Sequence, residues 1–192
     1  MIVIIDYDAG NIRSVKNALQ RLNAEAVLSN NIDEILAADR VILPGVGSAG
    51  QAMDSLRQKK LDKIIPVLKQ PVLGICLGMQ LLCSYSEEQD TECLKVFNTK
   101  IKKFPSKDII PHMGWNEISK LKSPLMRGIP EGSNQYFVHS YYAETCSQSI
   151  GDCNYILPFA AALEKENFYA TQFHPEKSSK EGSRILKNFL EL

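Results

Sequence analysis

Pro71-Val72-Leu73-Gly74-Ile75-Cys76-Leu77-Gly78-Met79-Gln80-Leu81-Leu82 is the stretch that decides the fold of this chain. Val72 to Ile75 is a short apolar run behind a proline, and helix formers follow Gly78, so the segment reads as a buried strand, a sharp turn and a helix. Cys76 falls at the junction. Gly74 and Gly78 stand two residues to either side, and G-x-C-x-G is the thiol counterpart of the G-x-S-x-G elbow, whose small neighbours permit a strained turn that presents a nucleophile. At a helix N-terminus the sulfur also meets free N–H groups and the positive end of the helix dipole, which favour the thiolate. The bland alternative, a structural cysteine between two turn glycines, makes no use of that placement.

A nucleophilic cysteine needs a base that titrates near neutrality. The chain has three histidines, His112, His139 and His174. His174 has the most telling context, Tyr169-Ala170-Thr171-Gln172-Phe173-His174-Pro175-Glu176. Pro175 drives His174 into an extended conformation, and residues two apart on an extended chain point to one side, so Glu176 is placed to orient the imidazole. Alone, H-P-E is also the pattern of a loop with a surface ion pair. With Cys76 it supplies the nucleophile, base and orienting acid of a hydrolytic triad. His112 and His139 are expected to be structural.

Arg40-Val41-Ile42-Leu43 is a second buried-strand run, followed by Pro44-Gly45-Val46-Gly47-Ser48-Ala49-Gly50 and a helical stretch. Gly45, Gly47 and Gly50 satisfy G-x-G-x-x-G, so a dinucleotide site has to be weighed. That fingerprint belongs after the first strand of a βαβ unit, with an acid ending the next strand to hold a ribose. Here the next strand ends at Gly74-Ile75-Cys76 and offers no acid. The better reading is a flexible turn whose N–H groups, with that of Leu77, form an oxyanion hole beside Cys76.

P-G-V-G, then G-I-C-L-G-M-Q-L-L, then Q-F-H-P-E-K-S, in that order, resembles the class I (triad) glutamine amidotransferases. Asp6-Tyr7-Asp8-Ala9-Gly10-Asn11-Ile12-Arg13-Ser14-Val15, Pro111-His112-Met113-Gly114-Trp115-Asn116 and Tyr136-Phe137-Val138-His139-Ser140-Tyr141 narrow the resemblance to the glutaminase subunits of imidazole glycerol phosphate synthase. It runs over essentially the whole chain. Asp8 departs from the pattern, which more often has glycine there, in a loop expected near the partner.

The resemblance implies a single glutaminase domain over residues 1–192 with a three-layer α/β fold. A mostly parallel central sheet would carry helices on both faces and a small antiparallel layer. It implies that Cys76, His174 and Glu176 are catalytic, that the backbone of Val46, Gly47 and Leu77 holds the oxyanion, and that Gln80, Glu88, Ser140 and Tyr141 bind glutamine, with His139 on a strand nearby. Glu88, in Ser86-Glu87-Glu88-Gln89-Asp90, also fits a solvated helix end. Asn11, Trp115, Tyr136 and Lys177 would face or gate a (βα)8-barrel synthase subunit, the other half of a heterodimer, which receives the ammonia. That partner would make imidazole glycerol phosphate and aminoimidazole carboxamide ribotide in histidine biosynthesis. No cofactor or metal is implied. Readings that remain open are a paralogous subunit feeding another synthase, for instance in amino-sugar formation, a stand-alone cysteine hydrolase, and a nucleotide-binding module built on Gly45 to Gly50.

Composition is compatible with this. The chain has 192 residues, 44% of them hydrophobic, enough for one sizeable core. Lys plus Arg and Asp plus Glu both total 22, which argues against nucleic acid as the main partner. The five cysteines form no C-x-x-C pair, so neither a zinc site nor a disulfide framework is indicated and a reducing, cytoplasmic setting is expected. Ile2 to Ile5 is too short for a signal peptide or membrane span. The lysines from Lys95 to Lys107 read as a solvated basic face. Strands are expected at 2–6, 26–29, 41–43 and 72–75, with helices near 12–22, 32–37, 49–68 and 77–84 between them, an alternation that predicts a parallel sheet. Short strands follow at 96–97, 116–118, 136–138, 142–144, 160–163 and 168–172, and residues 180–190 close the chain as an amphipathic helix.

Overall fold

The computed structural model describes residues 1–8 and 10–192, with Ala9 of the opening motif lying outside them. The first half alternates strand and helix: β1 (Ile2–Ile5), α1 (Ile12–Arg21), β2 (Ala26–Ser29), α2 (Ile32–Leu36), β3 (Arg40–Leu43), α3 (Ala49–Gln58), β4 (Val72–Ile75) and α4 (Leu77–Leu82). The second half is strand-rich. It contains β5 (Tyr85–Ser86), β6 (Thr91–Glu92), β7 (Lys100–Lys103), β8 (His112–Ser119), β9 (Ser133–His139), β10 (Tyr141–Ala143), β11 (Ser149–Tyr155), β12 (Leu157–Lys165) and β13 (Phe168–Thr171), before the closing helix α5 (Ser179–Leu190).

The five strands β2-β1-β3-β4-β13 lie side by side and all run parallel. β1, β3, β4 and β13 are buried on both faces, whereas the edge strand β2 leaves Val27 and Leu28 exposed. Val3 and Ile5 of β1 pack with Met53 and Leu56 of α3 and Leu81 of α4. Ile4 points the other way, into a second core with Val15 and Leu19 of α1 and Ile185, Leu186 and Phe189 of α5. This is the period-two alternation of a strand sorting its side chains between two helical layers.

The antiparallel strands extend the same sheet and do not form a detached layer. β12 pairs antiparallel with β13, then β10 and β7 continue the order, while β11, β8 and β9 branch from β12. Several expected boundaries move. The helix expected over 49–68 stops at Gln58, because Lys60 turns to φ 59° and Pro66 sits in a short 3-10 turn. Val96 and Phe97 are buried but not a strand, and the paired strand comes four residues later at Lys100–Lys103. β11 was not expected at all, since Ser149-Ile150-Gly151-Asp152-Cys153-Asn154-Tyr155 lacks an alternating pattern.

α5 closes over the His174-Pro175-Glu176 segment. A Cβ on Gly182 would overlap the carbonyl oxygen of Pro175, so helix and turn approach as closely as a glycine allows. Gly182→Ala is therefore expected to lower stability by about 1–3 kcal/mol in urea unfolding, and an unchanged midpoint would contradict this packing.

Candidate active site

Three segments converge at the C-terminal ends of β3, β4 and β13, where open α/β sheets place their sites. Cys76 follows β4 directly and is the N-cap of α4, at φ 54° and ψ −108°. Its N–H donates to Thr171 O at 2.8 Å, and its carbonyl accepts from Gln80 N at 3.2 Å, so the strained residue is tied to sheet and helix at once. The flanking glycines are needed sterically. A Cβ on Gly78 would overlap the Leu43 carbonyl oxygen, and one on Gly74 would crowd the carbonyl of Gly78. The sulfur lies 3.8 Å from Gln172 Nε2, which donates to it, and 3.9 Å from Val138 O, to which it donates.

His174 is extended, at φ −97° and ψ 95°, and fully buried. Its Nδ1 lies 2.7 Å from Glu176 Oε1, as the sequence predicts. Glu176 sits in the 3-10 turn Pro175–Lys177, which Ser178 secures: the Ser178 hydroxyl donates to His174 O at 2.7 Å and accepts from Tyr136 N at 2.9 Å. Asn11 Nδ2 donates to Glu176 Oε1 at 2.6 Å. His174 Nε2 and Glu176 Oε2 are buried without a hydrogen-bond partner among the described residues. Burial opposes a charge on His174, but the adjacent Cys76 thiol and Glu176 carboxylate outweigh it and raise the imidazole well above its usual range.

The Pro44-Gly47 turn leaves β3 beside the elbow, held from beneath by the Tyr7 hydroxyl, which donates to Pro44 O at 2.5 Å. Gly47 has φ 113°, a conformation that favours glycine, although a Cβ there would meet open space. Val46 is 40% exposed. Leu77 is the first residue of α4, and its N–H has no partner within the helix. Val46, Gly47, Cys76, Leu77, Gln80, Glu88, Ser140 and Tyr141 line one cavity of about 300 Å³, together with Pro111, Val138 and His139. Glu88 is more than a solvated helix end: its Oε2 accepts from Ala49 N at 2.8 Å, at the start of α3. Gln80 is buried, and its Nε2 donates to Tyr141 O at 3.1 Å and to Gln172 Oε1 at 3.0 Å.

Of the four residues expected at a partner surface, Tyr136 accepts from His174 N through its carbonyl and Lys177 ends the 3-10 turn that holds Glu176. Trp115 is 54% exposed, so it is not a core residue, and it stands edge-on to Tyr136 at 5.9 Å. Lys177 is exposed, and Asn11 reaches the Glu176 carboxylate. Asp8, the departure from the family pattern, has φ 66° and turns its carboxylate to α3. It accepts from Ser55 at 3.0 Å and pairs with Lys59 at 2.8 Å, and both hold its carboxyl below the usual value, Lys59 more strongly. Gln172 is the site residue to which sequence reasoning gave no role, since its partners are 92 and 96 residues away. Among the described residues no group of three or more His, Cys, Asp or Glu side chains is arranged to hold a metal ion. No helix among them is long and apolar enough to cross a membrane.

A strained cysteine elbow, a His–Glu pair and a glycine turn opening on one cavity are the parts of a thiol amidohydrolase, and the comparisons define the class. The model of the family described as glutamine amidotransferase class-I matches residues 3–192, and this chain belongs to that family. It is 52% identical to the imidazole glycerol phosphate synthase subunit HisH of Bacteroides thetaiotaomicron over 100% of this chain and 99% of the relative. The HisH subunit of Yersinia pseudotuberculosis is 45% identical, again over 100% and 99%. Among solved structures, a glutamine amidotransferase superposes with TM-score 0.76 at 17% identity, over 100% of this chain and 98% of that one. PurLQS from Thermotoga maritima gives 0.73 at 14%, over 99% and 97%.

A raised His174 pKa means that the folded state binds this proton more tightly than the unfolded chain. Its stabilisation is fully present below about pH 6.5 and is lost as pH rises through the raised value. Cys76→Ala removes one of the groups that raise it, so the His174 midpoint read by NMR titration should fall. An unchanged midpoint would contradict the coupling.

Proposed function

We infer that this chain is the glutaminase subunit of an imidazole glycerol phosphate synthase in histidine biosynthesis, one catalytic unit over residues 1–192. It hydrolyses glutamine and hands the ammonia to a (βα)8-barrel synthase subunit, its heterodimer partner. The observation that carries the chemistry is the one cavity lined by Cys76, Val46, Gly47 and Leu77 together. The full-length similarity to the HisH subunits carries the choice of pathway.

In this reading the Cys76 thiolate adds to the side-chain amide carbon of glutamine. The oxygen becomes an oxyanion held by the N–H groups of Leu77 and the Val46-Gly47 turn. His174 Nε2, without a partner among the described residues, gives its proton to the departing nitrogen. The C–N bond breaks, ammonia leaves, and a glutamyl thioester remains on Cys76. His174 then takes a proton from water as the oxygen attacks the thioester carbon. The C–S bond breaks, glutamate is released and the thiolate is restored, with Glu176 holding the ring throughout.

Both hydrogens of Gln80 Nε2 are spent inside the protein, so its Oε1 is the atom that accepts from the substrate's ammonium, with the Glu88 carboxylate supplying the charge. The backbone at Ser140 and Tyr141 takes the substrate carboxylate. Trp115, with exposed Met113 and Ile109 near it in the chain, gives the partner an apolar footing. Asn11, Tyr136 and Lys177 complete that face, and Asn11 links it to the triad acid. The five cysteines are all free, as suits the cytoplasm.

The test is glutamate release by wild type and Cys76→Ala, alone and with a histidine-pathway barrel synthase and its ribonucleotide ligand. Activity should rise strongly in the matched complex and fall by at least about 10³-fold with Cys76→Ala. An inactive complex whose Cys76 still forms an adduct with glutamine would mean a different partner. The absence of both adduct and hydrolysis would overturn the enzyme reading.

A further inference from the structure

His112 and His139 take no part in the triad, yet they belong to a continuous run of hydrogen bonds whose direction is fixed at both ends. At one end the Asn116 side chain is pinned by backbone, its Oδ1 accepting from Glu117 N at 2.8 Å and its Nδ2 donating to Asn154 O at 3.1 Å. That Nδ2 also faces His112 Nε2 at 3.2 Å, so this nitrogen has to be the acceptor. At the other end His139 Nδ1 lies 2.7 Å from Tyr141 O, and since a carbonyl only accepts, Nδ1 carries the hydrogen. The two rings meet between these ends, His112 Nδ1 to His139 Nε2 at 3.0 Å. One arrangement satisfies every contact: each ring neutral, each with its hydrogen on Nδ1, His112 donating to His139 and His139 donating to Tyr141 O.

An extra proton on either ring would set two N–H groups face to face, at Asn116 or between the rings. Burial disfavours it as well, pushing His112 down to about 4 and His139 to about 3. The rings have little freedom to turn. His112 is stacked between Phe137 at 4.9 Å and Tyr155 at 4.1 Å, and His139 packs on Phe104 at 5.4 Å.

The run continues into the site. Tyr141 O also accepts from Gln80 Nε2, Gln80 Nε2 donates to Gln172 Oε1, and Gln172 Nε2 donates to the Cys76 sulfur. We propose that His112 and His139 are positioning residues, which as a pair of neutral Nδ1–H tautomers fix the Tyr141 carbonyl beside the glutamine cavity and through it hold Gln80 and Gln172 against Cys76. This rests on the glutaminase reading for its kinetic consequence but not for its structural one. A pair that merely filled the core would fix neither the tautomers nor the affinity for glutamine.

Two measurements test it. Long-range ¹H–¹⁵N correlation on the histidine-labelled chain at pH 7 should show both imidazoles with Nδ1 protonated and Nε2 bare, and Nε2–H on either ring would overturn the proposal, whatever the protein's activity. In the complex with the synthase subunit, His139→Leu should raise KM for glutamine about tenfold, the effect of one lost buried hydrogen bond, with a much smaller change in kcat. His139→Asn, whose side-chain N–H can replace Nδ1–H, should restore most of that loss. Equal KM increases in the two variants, or a loss confined to kcat, would overturn the positioning role. If the leucine variant fails to fold, the spectrum and the asparagine variant still decide.

Discussion

The constraint on which the rest of the structure depends is the backbone at Cys76, a residue with a side chain held at φ 54° and ψ −108° between a strand and a helix. Such a conformation costs of order 1–3 kcal/mol and persists only where its surroundings over-determine it. Here they do so from three directions. The Cys76 N–H continues the β4–β13 ladder to Thr171, its carbonyl begins α4, and Gly78 lets α4 meet β3 while Gly74 lets β4 meet α4. Had β4 not been buried on both faces, no sheet would anchor the incoming chain. The outgoing helix is six residues long and wholly buried, so it depends on tertiary packing and not on its own propensity.

Around that elbow the protein places charge sparingly. The His174–Glu176 pair is buried, with one acid for one base; Asn11 bonds Glu176 Oε1 and Ser178 bonds His174 O, while His174 Nε2 and Glu176 Oε2 have no partner among the described residues. The neighbouring imidazoles are treated in the opposite way. The same burial that His174 overcomes through Cys76 and Glu176 acts on His112 and His139 without a nearby acid, and drives them neutral. Three histidines in one chain thus divide, by their neighbours alone, between one held toward its charged form and two held neutral.

Much of this was legible in the sequence because its signals are local. An apolar run ending in G-x-C-x-G, another ending in P-G-V-G, and H-P-E each state strand, turn and chemistry within a dozen residues, and the structure has all three at strand ends. Glu88 and Gln80 were expected at one site and line one cavity, but the capping of α3 by Glu88 could not be read from Ser86-Glu87-Glu88. What was not legible depends on distant contacts. β11 takes its place from pairing with β12 and β8, although its own sequence has no alternation. Gln172 lay inside a quoted motif, yet its role exists only where β13, α4 and the elbow meet. The helix expected to run on to residue 68 failed at a local feature whose sign was visible, Pro66, and at one that was not, the left-handed turn at Lys60.

The proposed chemistry requires Cys76 to be the one reactive thiol among five, made so by its place on the elbow and its neighbours. Intact-protein mass spectrometry after treatment with a glutamine analogue carrying an electrophilic carbon at the amide position measures this directly. The account predicts a single adduct, located at Cys76, whose formation is suppressed by excess glutamine and lost in Cys76→Ala. Labelling spread over Cys83, Cys93, Cys146 or Cys153, or labelling that glutamine does not suppress, would contradict it.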